Sequence, residues 1–280
     1  MTNDDQKEFW KSSAGPTWVA LQAQMDALMQ PVLDLLLEEA GLRPGQRVLD
    51  IGCGTGASTA QAAARVGPSG HVTGIDISDT MLALANARLA DQPNIRFLNA
   101  DAQTHAFEPG GVDALISRFG VMFFEDTVAA FGNMATALVP GGTMTMAAWG
   151  PAPENPFFMD PAAVAREMLG PMPKVDRTQP GPFAFEDTGP ITEKMRAAGL
   201  VDITARTVEL ALTPDGDLRA VGDLCCQIGP ADSALQYHGG QSQQRKALSE
   251  AIALRFSRYE SPKGVLIPAS INLFQARKSA

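Results

Sequence analysis

Cysteine, histidine and tyrosine are scarce in this 280-residue chain, which holds three, three and two of them. Cys53, Cys225 and Cys226 form neither a disulfide framework nor a metal-ligand spacing, so reduced thiols and no bound metal are expected. Basic charge is short as well: 22 Lys and Arg stand against 31 Asp and Glu, a formal net charge of -9. No Lys/Arg cluster supplies the basic face that phosphate backbones require, which argues against a nucleic-acid partner. No apolar run approaches the roughly 18 residues of a spanning helix. The acidic start, Met1-Thr2-Asn3-Asp4-Asp5, lacks the layout of a signal peptide. A cytoplasmic protein without a membrane span, monomer or homodimer, is the expectation.

What is present is an alternation of elements. Phe9 to Leu37 has large apolar residues at helical spacing, and Gly41 suits a helix end. Strands are expected at Arg47 to Ile51, His71 to Ile75, Ile95 to Asn99, Val112 to Ser117 and Thr143 to Trp149. Helices fall between them at Ala57 to Val66, Ser78 to about Ala90 and Thr127 to Leu138. Strict alternation with short connections means βαβ units and a parallel sheet. Prolines crowd the stretch from Gly150 to Pro190, which cannot be sheet interior. It reads as an inserted cap with one helix, Pro161 to Leu169. Helices at Ile191 to Ala198, Leu218 to Gln227 and Ser242 to Tyr259 follow, with strands at Val201 to Leu210 and Ile271 to Ala276.

Within that order one stretch carries chemistry: Val48-Leu49-Asp50-Ile51-Gly52-Cys53-Gly54-Thr55-Gly56. An apolar strand ends in an acid and breaks into glycines at alternate positions before a helix, which lets backbone approach a nucleotide-like ligand. Gly52-x-Gly54-x-x-Ala57 also satisfies the dinucleotide fingerprint. Asp76, at the end of the second strand, can accept both ribose hydroxyls of an adenosine. These features suit NAD as well as S-adenosylmethionine.

Four stations taken in order resemble the class I S-adenosylmethionine-dependent methyltransferases, of the small-molecule type found in ubiquinone and menaquinone biosynthesis. They are Asp50 with Gly52, Gly54 and Gly56; Asp76 with Met81 soon after; Asp101-Ala102-Gln103 after the third strand; and Pro140-Gly141-Gly142 before the fifth. The resemblance covers about Leu42 to Trp149. It implies a Rossmann-like, doubly wound α/β fold with a mostly parallel seven-stranded sheet and S-adenosyl-L-methionine as donor. Residues 1–40 would form a helical lid, 41–150 the donor-binding core, 151–190 the cap after strand five, and 191–280 the rest of the core with a further lid segment. Donor contacts are expected from Asp50, Gly52, Cys53, Gly54, Gly56, Asp76, Ile77, Met81, Asp101, Ala102, Gln103 and Ser117. A dehydrogenase would place a pyrophosphate at the helix N-terminus, where Asp50 gives no help.

The acceptor side is less legible. Methyl transfer from a sulfonium is an in-line displacement on an activated donor, so a dedicated base is optional. The segment after strand four should lie beside the sulfonium, with Arg118, Phe119 and Phe123 as pocket candidates; Arg118 could instead pair with Glu125 or Asp126. Trp10 and Trp18 in the lid could shield a sulfonium or merely pack. Trp149 and Asn155 are further pocket candidates. Tyr237 and His238, with Arg118, are the candidate catalytic residues. The expected function is methyl transfer to a small molecule. The alternatives are an NAD(P)-dependent oxidoreductase and a catalytically silent donor-binding protein.

Overall fold

In the computed structural model, which describes residues 3–12, 14–174 and 176–280, three helices precede the sheet: α1 (Asn3–Ser12), α2 (Ala14–Ala20) and α3 (Gln22–Ala40). Met25, Leu28, Met29, Val32, Leu33, Leu36 and Leu37 form the buried stripe of α3, the i, i+3, i+4 spacing of one helical face. Gly41, left-handed at φ +54°, ends it.

Alternation then follows the sequence: β1 (Arg47–Ile51), α4 (Ala57–Val66), β2 (His71–Asp76), α5 (Asp79–Arg88), β3 (Ile95–Asn99), β4 (Val112–Arg118), α6 (Thr127–Ala137) and β5 (Leu138–Trp149). Next come α7 (Pro156–Leu169), α8 (Thr188–Ala197), β6 (Leu200–Leu212), α9 (Leu218–Cys225), α10 (Pro230–Tyr237), α11 (Ser242–Phe256), a small hairpin of β7 (Glu260–Ser261) and β8 (Gly264–Val265), and β9 (Ile267–Lys278).

The main sheet has seven strands in the order β3-β2-β1-β4-β5-β9-β6. β9 runs antiparallel to both neighbours, and the other pairings are parallel. β1 is central, with Val48, Leu49 and Ile51 all buried, as a strand covered on both faces must be. Chain order reverses between β1 and β4. Ligands of open α/β sheets bind at such a switch point, outside the carboxyl ends of the strands.

Several boundaries differ from the sequence reading. The cap helix starts at Pro156, not Pro161. Pro156 takes the first helical position, where a missing N–H costs nothing, and the buried ring of Pro161 is absorbed inside the helix. α10 had not been foreseen, because its Gly229-Pro230 start reads as loop. β5 begins five residues before Thr143, with an irregularity in register opposite Val112 and Ala114. The cap also has two sources. α7 packs against α10 and α11, so segments inserted on both sides of β6 build it together.

Candidate functional site

β1 brings the chain to the switch point and three glycines turn it. Gly52 and Gly54 sit at φ +66° and +54°, values that residues with a Cβ rarely adopt. At Gly52 space decides too: a Cβ there would stand 2.5 Å from the Cα of Gly120. The loops after β1 and β4 therefore touch backbone to backbone. The N–H groups of Gly52 and Cys53 donate to the Ile75 carbonyl at 2.9 and 3.2 Å. Cys53 turns its sulfur under the loop toward Gly74, and burial pushes its thiol pKa well up. Only its backbone can face a ligand.

Three acids stand at successive strand ends. Asp50 is fully buried; its Oδ2 accepts from Ser58 Oγ and Thr59 Oγ1, each at 2.7 Å. Burial raises its pKa against the pull of those two hydroxyls. Asp76 accepts from Gly54 N–H through Oδ2 and from Ser78 N–H through Oδ1, both at 2.8 Å. Burial lifts its pKa to about 6, although the backbone donors oppose the rise. Ile77 N–H is a third backbone donor to Asp76; a carboxylate has about four lone-pair sites, so Asp76 is not filled and can still accept a hydroxyl. Asp101 accepts from Gln103 N–H at 2.9 Å. Gln103 Oε1 accepts from Asp126 N–H at 3.0 Å, tying the loop after β3 to the start of α6. Ala102 and Met81 are buried and Ile77 half-buried beside these acids.

β4 ends in a lock. Ser117 Oγ donates to the Ile51 carbonyl at 2.8 Å and accepts from Gly120 N–H at 3.2 Å. Phe119 is left-handed at φ +67°, strained for a residue with a Cβ, and donates its N–H to Ala147. Its ring stacks on Trp149 at 4.4 Å. Trp149 meets Phe158 edge-on at 4.9 Å, and Phe158 meets Phe183 at 5.1 Å. An aromatic wall thus runs from the sheet edge into the cap. Arg118 does not pair with Glu125 or Asp126; the carboxylates that bear on it are Asp26 and Asp50.

The N-terminal helices lie over this edge. Ser78, the N-cap of α5, donates its hydroxyl to the Trp10 carbonyl at 3.1 Å. Lys7 Nζ stands 4.0 Å from Asp101. Trp10 packs edge-on against Phe123 at 5.4 Å and Trp18 at 6.0 Å. α1 thereby reaches the loops after β2, β3 and β4. Sequence reasoning missed Lys7 and Gln6 here. Gln6 is 3% exposed, yet it sits in a polar run with no local sign of burial.

Two of the expected site positions have other surroundings. Asn155 is bonded on every side within the fold. It is fully buried, donating to the Gly150 and Pro151 carbonyls and accepting from Ser270 N–H, which pins α7 to β9. Tyr237 and His238 are not brought to the strand edge. Tyr237 is 61% exposed and His238 lies against Gly170, at the far end of α7. Tyr237 ends α10 and His238 caps it, and that helix packs on α7.

Among the described residues, buried polar atoms without a partner are Gln6 Oε1, Asp50 Oδ1, Arg118 Nη1 and Ser270 Oγ. Three of these four belong to the edge just described or to the helix over it. A native interior leaves few such groups unpaired. Two acceptors and one cationic donor, with the spare lone pair of Asp76, fit a ligand carrying an amino acid and a ribose. The residues present therefore suit S-adenosylmethionine.

The family described as "Methyltransferase domain" matches residues 48–142. A demethylmenaquinone methyltransferase of Staphylococcus aureus is 28% identical over 181 residues, covering 61% of this chain and 75% of that protein. In fold the chain is similar to phosphoethanolamine N-methyltransferase 2 of Haemonchus contortus, solved with S-adenosyl-L-methionine (TM-score 0.54, 22% identity, 89% of this chain). It spans about half of that protein, 53%. It also matches the YcgJ protein of Bacillus subtilis (TM-score 0.54, 18% identity, 90% of this chain and 99% of that one).

Proposed function

From the premise that the chain belongs to the class I S-adenosylmethionine-dependent methyltransferases, we propose that it methylates a small, planar, largely apolar acceptor. The observation that carries this is the aromatic wall of Phe119, Trp149, Phe158 and Phe183 beside the strand edge. The half-buried rings of such a cluster, Phe119, Phe158 and Phe183, favour another ring laid against them. Demethylmenaquinone, the compound in the name of the Staphylococcus aureus relative, is an acceptor of that kind.

S-adenosylmethionine, when bound, supplies a methyl group already activated on a sulfonium. The chain's own part is to hold and to exclude. Asp76 grips a ribose hydroxyl, Asp101 and Gln103 flank the adenine, and Gly52 to Gly56 admit close backbone approach. Residues 1–40 act as the lid and residues 151–190 as part of the cap, shutting water from the edge. Such positioning can supply most of the rate in an in-line transfer. With Tyr237 and His238 on the outer cap, no base is assigned; an acceptor that must lose a proton brings its own acidity.

Among the described residues no helix is long and apolar enough to cross a membrane. The test is calorimetric titration with S-adenosylhomocysteine, with NAD and NADP as controls, then methyl release with a panel of hydroquinones and phenols against aliphatic amines. Binding of S-adenosylhomocysteine alone and turnover of the ring compounds support the proposal. Turnover of the amines alone overturns the acceptor class.

A further inference from the structure

We propose that the cleft between the end of α3 and the β5-β9-β6 part of the sheet is a second ligand site, shaped for a small anion that carries hydroxyl groups. It lies at the amino ends of β4 and β5, on the edge opposite the glycine turn, and it does not depend on the acceptor reading above.

The cleft has a volume of about 540 Å³, within the roughly 300–1,000 Å³ of small-molecule sites. Register sets its floor. Thr145 pairs with Gln275, and Gln275 with Thr204, so the three side chains stand in one row on one face. Thr143 lies on that face too, two residues back along β5. α3 covers it: Gln275 Nε2 donates to the Glu39 carbonyl at 2.8 Å, and Arg206 Nη2 to the Glu39 carboxylate at 2.6 Å. A sheet face beneath a helix is ordinarily apolar. Here Thr145 is 2% exposed, and no hydrogen bond reaches its hydroxyl from the described residues. That oxygen is not sealed off either; it opens into the cleft that Thr145 lines. Buried polar groups find partners, and what this hydroxyl faces is the space a ligand would fill.

Charge narrows the ligand. The acids of the cleft are answered by the chain itself: Glu39 by Arg206, Asp113 by Arg47 at 2.8 Å, and Asp202 by Arg277 at 3.9 Å. Arg43 lines the same cleft and meets no carboxylate among the described residues; its N–H donates to Gln46 Oε1 at 2.7 Å, which fixes the backbone and leaves the guanidinium over. The spare charge is therefore cationic, while the floor offers hydroxyls. A guanidinium fork suits carboxylate and phosphate alike, and the threonine row suits a polar body behind that head. Thr145 stands about 13 Å along β5 from Trp149, so a ligand here leaves the aromatic wall and the donor edge free.

The experiment titrates the full chain by calorimetry with citrate and with glycerol 3-phosphate, which separate a carboxylate head from a phosphate one. Glycerol and sulfate are the neutral and the bare-anion controls. At least one of the two probes should bind saturably, and neither control should. Arg43→Gln should weaken that probe by about 10-fold or more, the worth of one charge-assisted bond. Thr145→Val, which keeps the shape and removes the hydroxyl, should weaken it by about 3- to 10-fold. S-adenosylhomocysteine affinity should stay within about twofold in both variants, and also when the probe is bound. Arg43 is exposed, so its variant carries the test if the valine variant does not fold. Saturable binding of neither probe overturns the proposal, as does binding that both variants leave unchanged. Competition between a probe and S-adenosylhomocysteine overturns it by placing the anion at the donor edge. Sulfate that binds as tightly as the probes overturns the hydroxylated ligand.

Discussion

Asp113 and Asp76 stand at opposite ends of the parallel strands of one sheet and are treated in opposite ways. At the amino end of β4, Asp113 receives Arg47 as a fork, Nη2 at 2.8 Å and Nε at 3.3 Å, with the Arg47 N–H at 2.8 Å besides. Those bonds hold its pKa below the usual carboxylate range. At the carboxyl end of β2, Asp76 is buried, met by the backbone N–H groups of Gly54, Ser78 and Ile77 and by no cation among the described residues, and its pKa is about 6. One acid is saturated by its own chain. The other is kept short of partners in a place where a ligand can complete it. The difference separates an acid that closes a fold from one that waits for chemistry.

Breaking the glycine turn at the carboxyl edge should have the largest effect. Gly52→Ala puts a Cβ against Gly120 and forces a left-handed residue, so it should lower unfolding stability by about 2–4 kcal/mol and abolish S-adenosylhomocysteine binding. Denaturant unfolding with calorimetry reads both, and a stable variant that binds normally would remove the loop contact from the account. Next, Asp76→Ala should weaken S-adenosylhomocysteine by about 1.5–3 kcal/mol. Asp113→Ala should leave that affinity alone and cost about 0.5–1 kcal/mol of stability. Equal dissociation constants in the two variants would erase the contrast.

Titration sharpens the contrast further. Asp76 must be ionised to accept a ribose hydroxyl beside its backbone donors, so S-adenosylhomocysteine affinity should fall as pH drops through about 6. Asp76→Asn should be flat over that window. The stability effects run oppositely. A raised pKa means the folded state holds extra protons below about 6, so ionising Asp76 costs stability as pH rises. The depressed pKa of Asp113 stabilises at neutral pH and is lost in acid. The smallest effect belongs to Trp10→Ala, which should lower kcat/KM by about 2- to 10-fold, the worth of one or two ring contacts. Its melting temperature should barely move; an equal loss in both would leave Trp10 as packing.

The strand-helix alternation, the glycine turn and the acids at three strand ends were legible because each is a local pattern. Gly52-x-Gly54-x-Gly56 declares a turn without help from the rest of the chain. The surroundings of Asn155 were not legible: its position after β5 says pocket, while its three bonds reach Gly150, Pro151 and, from 115 residues away, Ser270. Tyr237 and His238 misled because nothing local shows that α10 packs on α7. Gln6 was invisible because only the fold of α1 over the strand ends buries it. What escaped the sequence is what depends on contacts between distant segments.

The backbone contact between Gly52 and Gly120 has a consequence for anyone who would redesign this enzyme. Loops that line an acceptor pocket are the natural place to edit when a new substrate is wanted, and the segment after β4 is the loop proposed for that place. Here that segment has no slack against the glycine turn after β1. Adding a single carbon on either side shifts both, so substitutions at the two loops should combine non-additively. Libraries aimed at acceptor range will need to vary both loops as one unit.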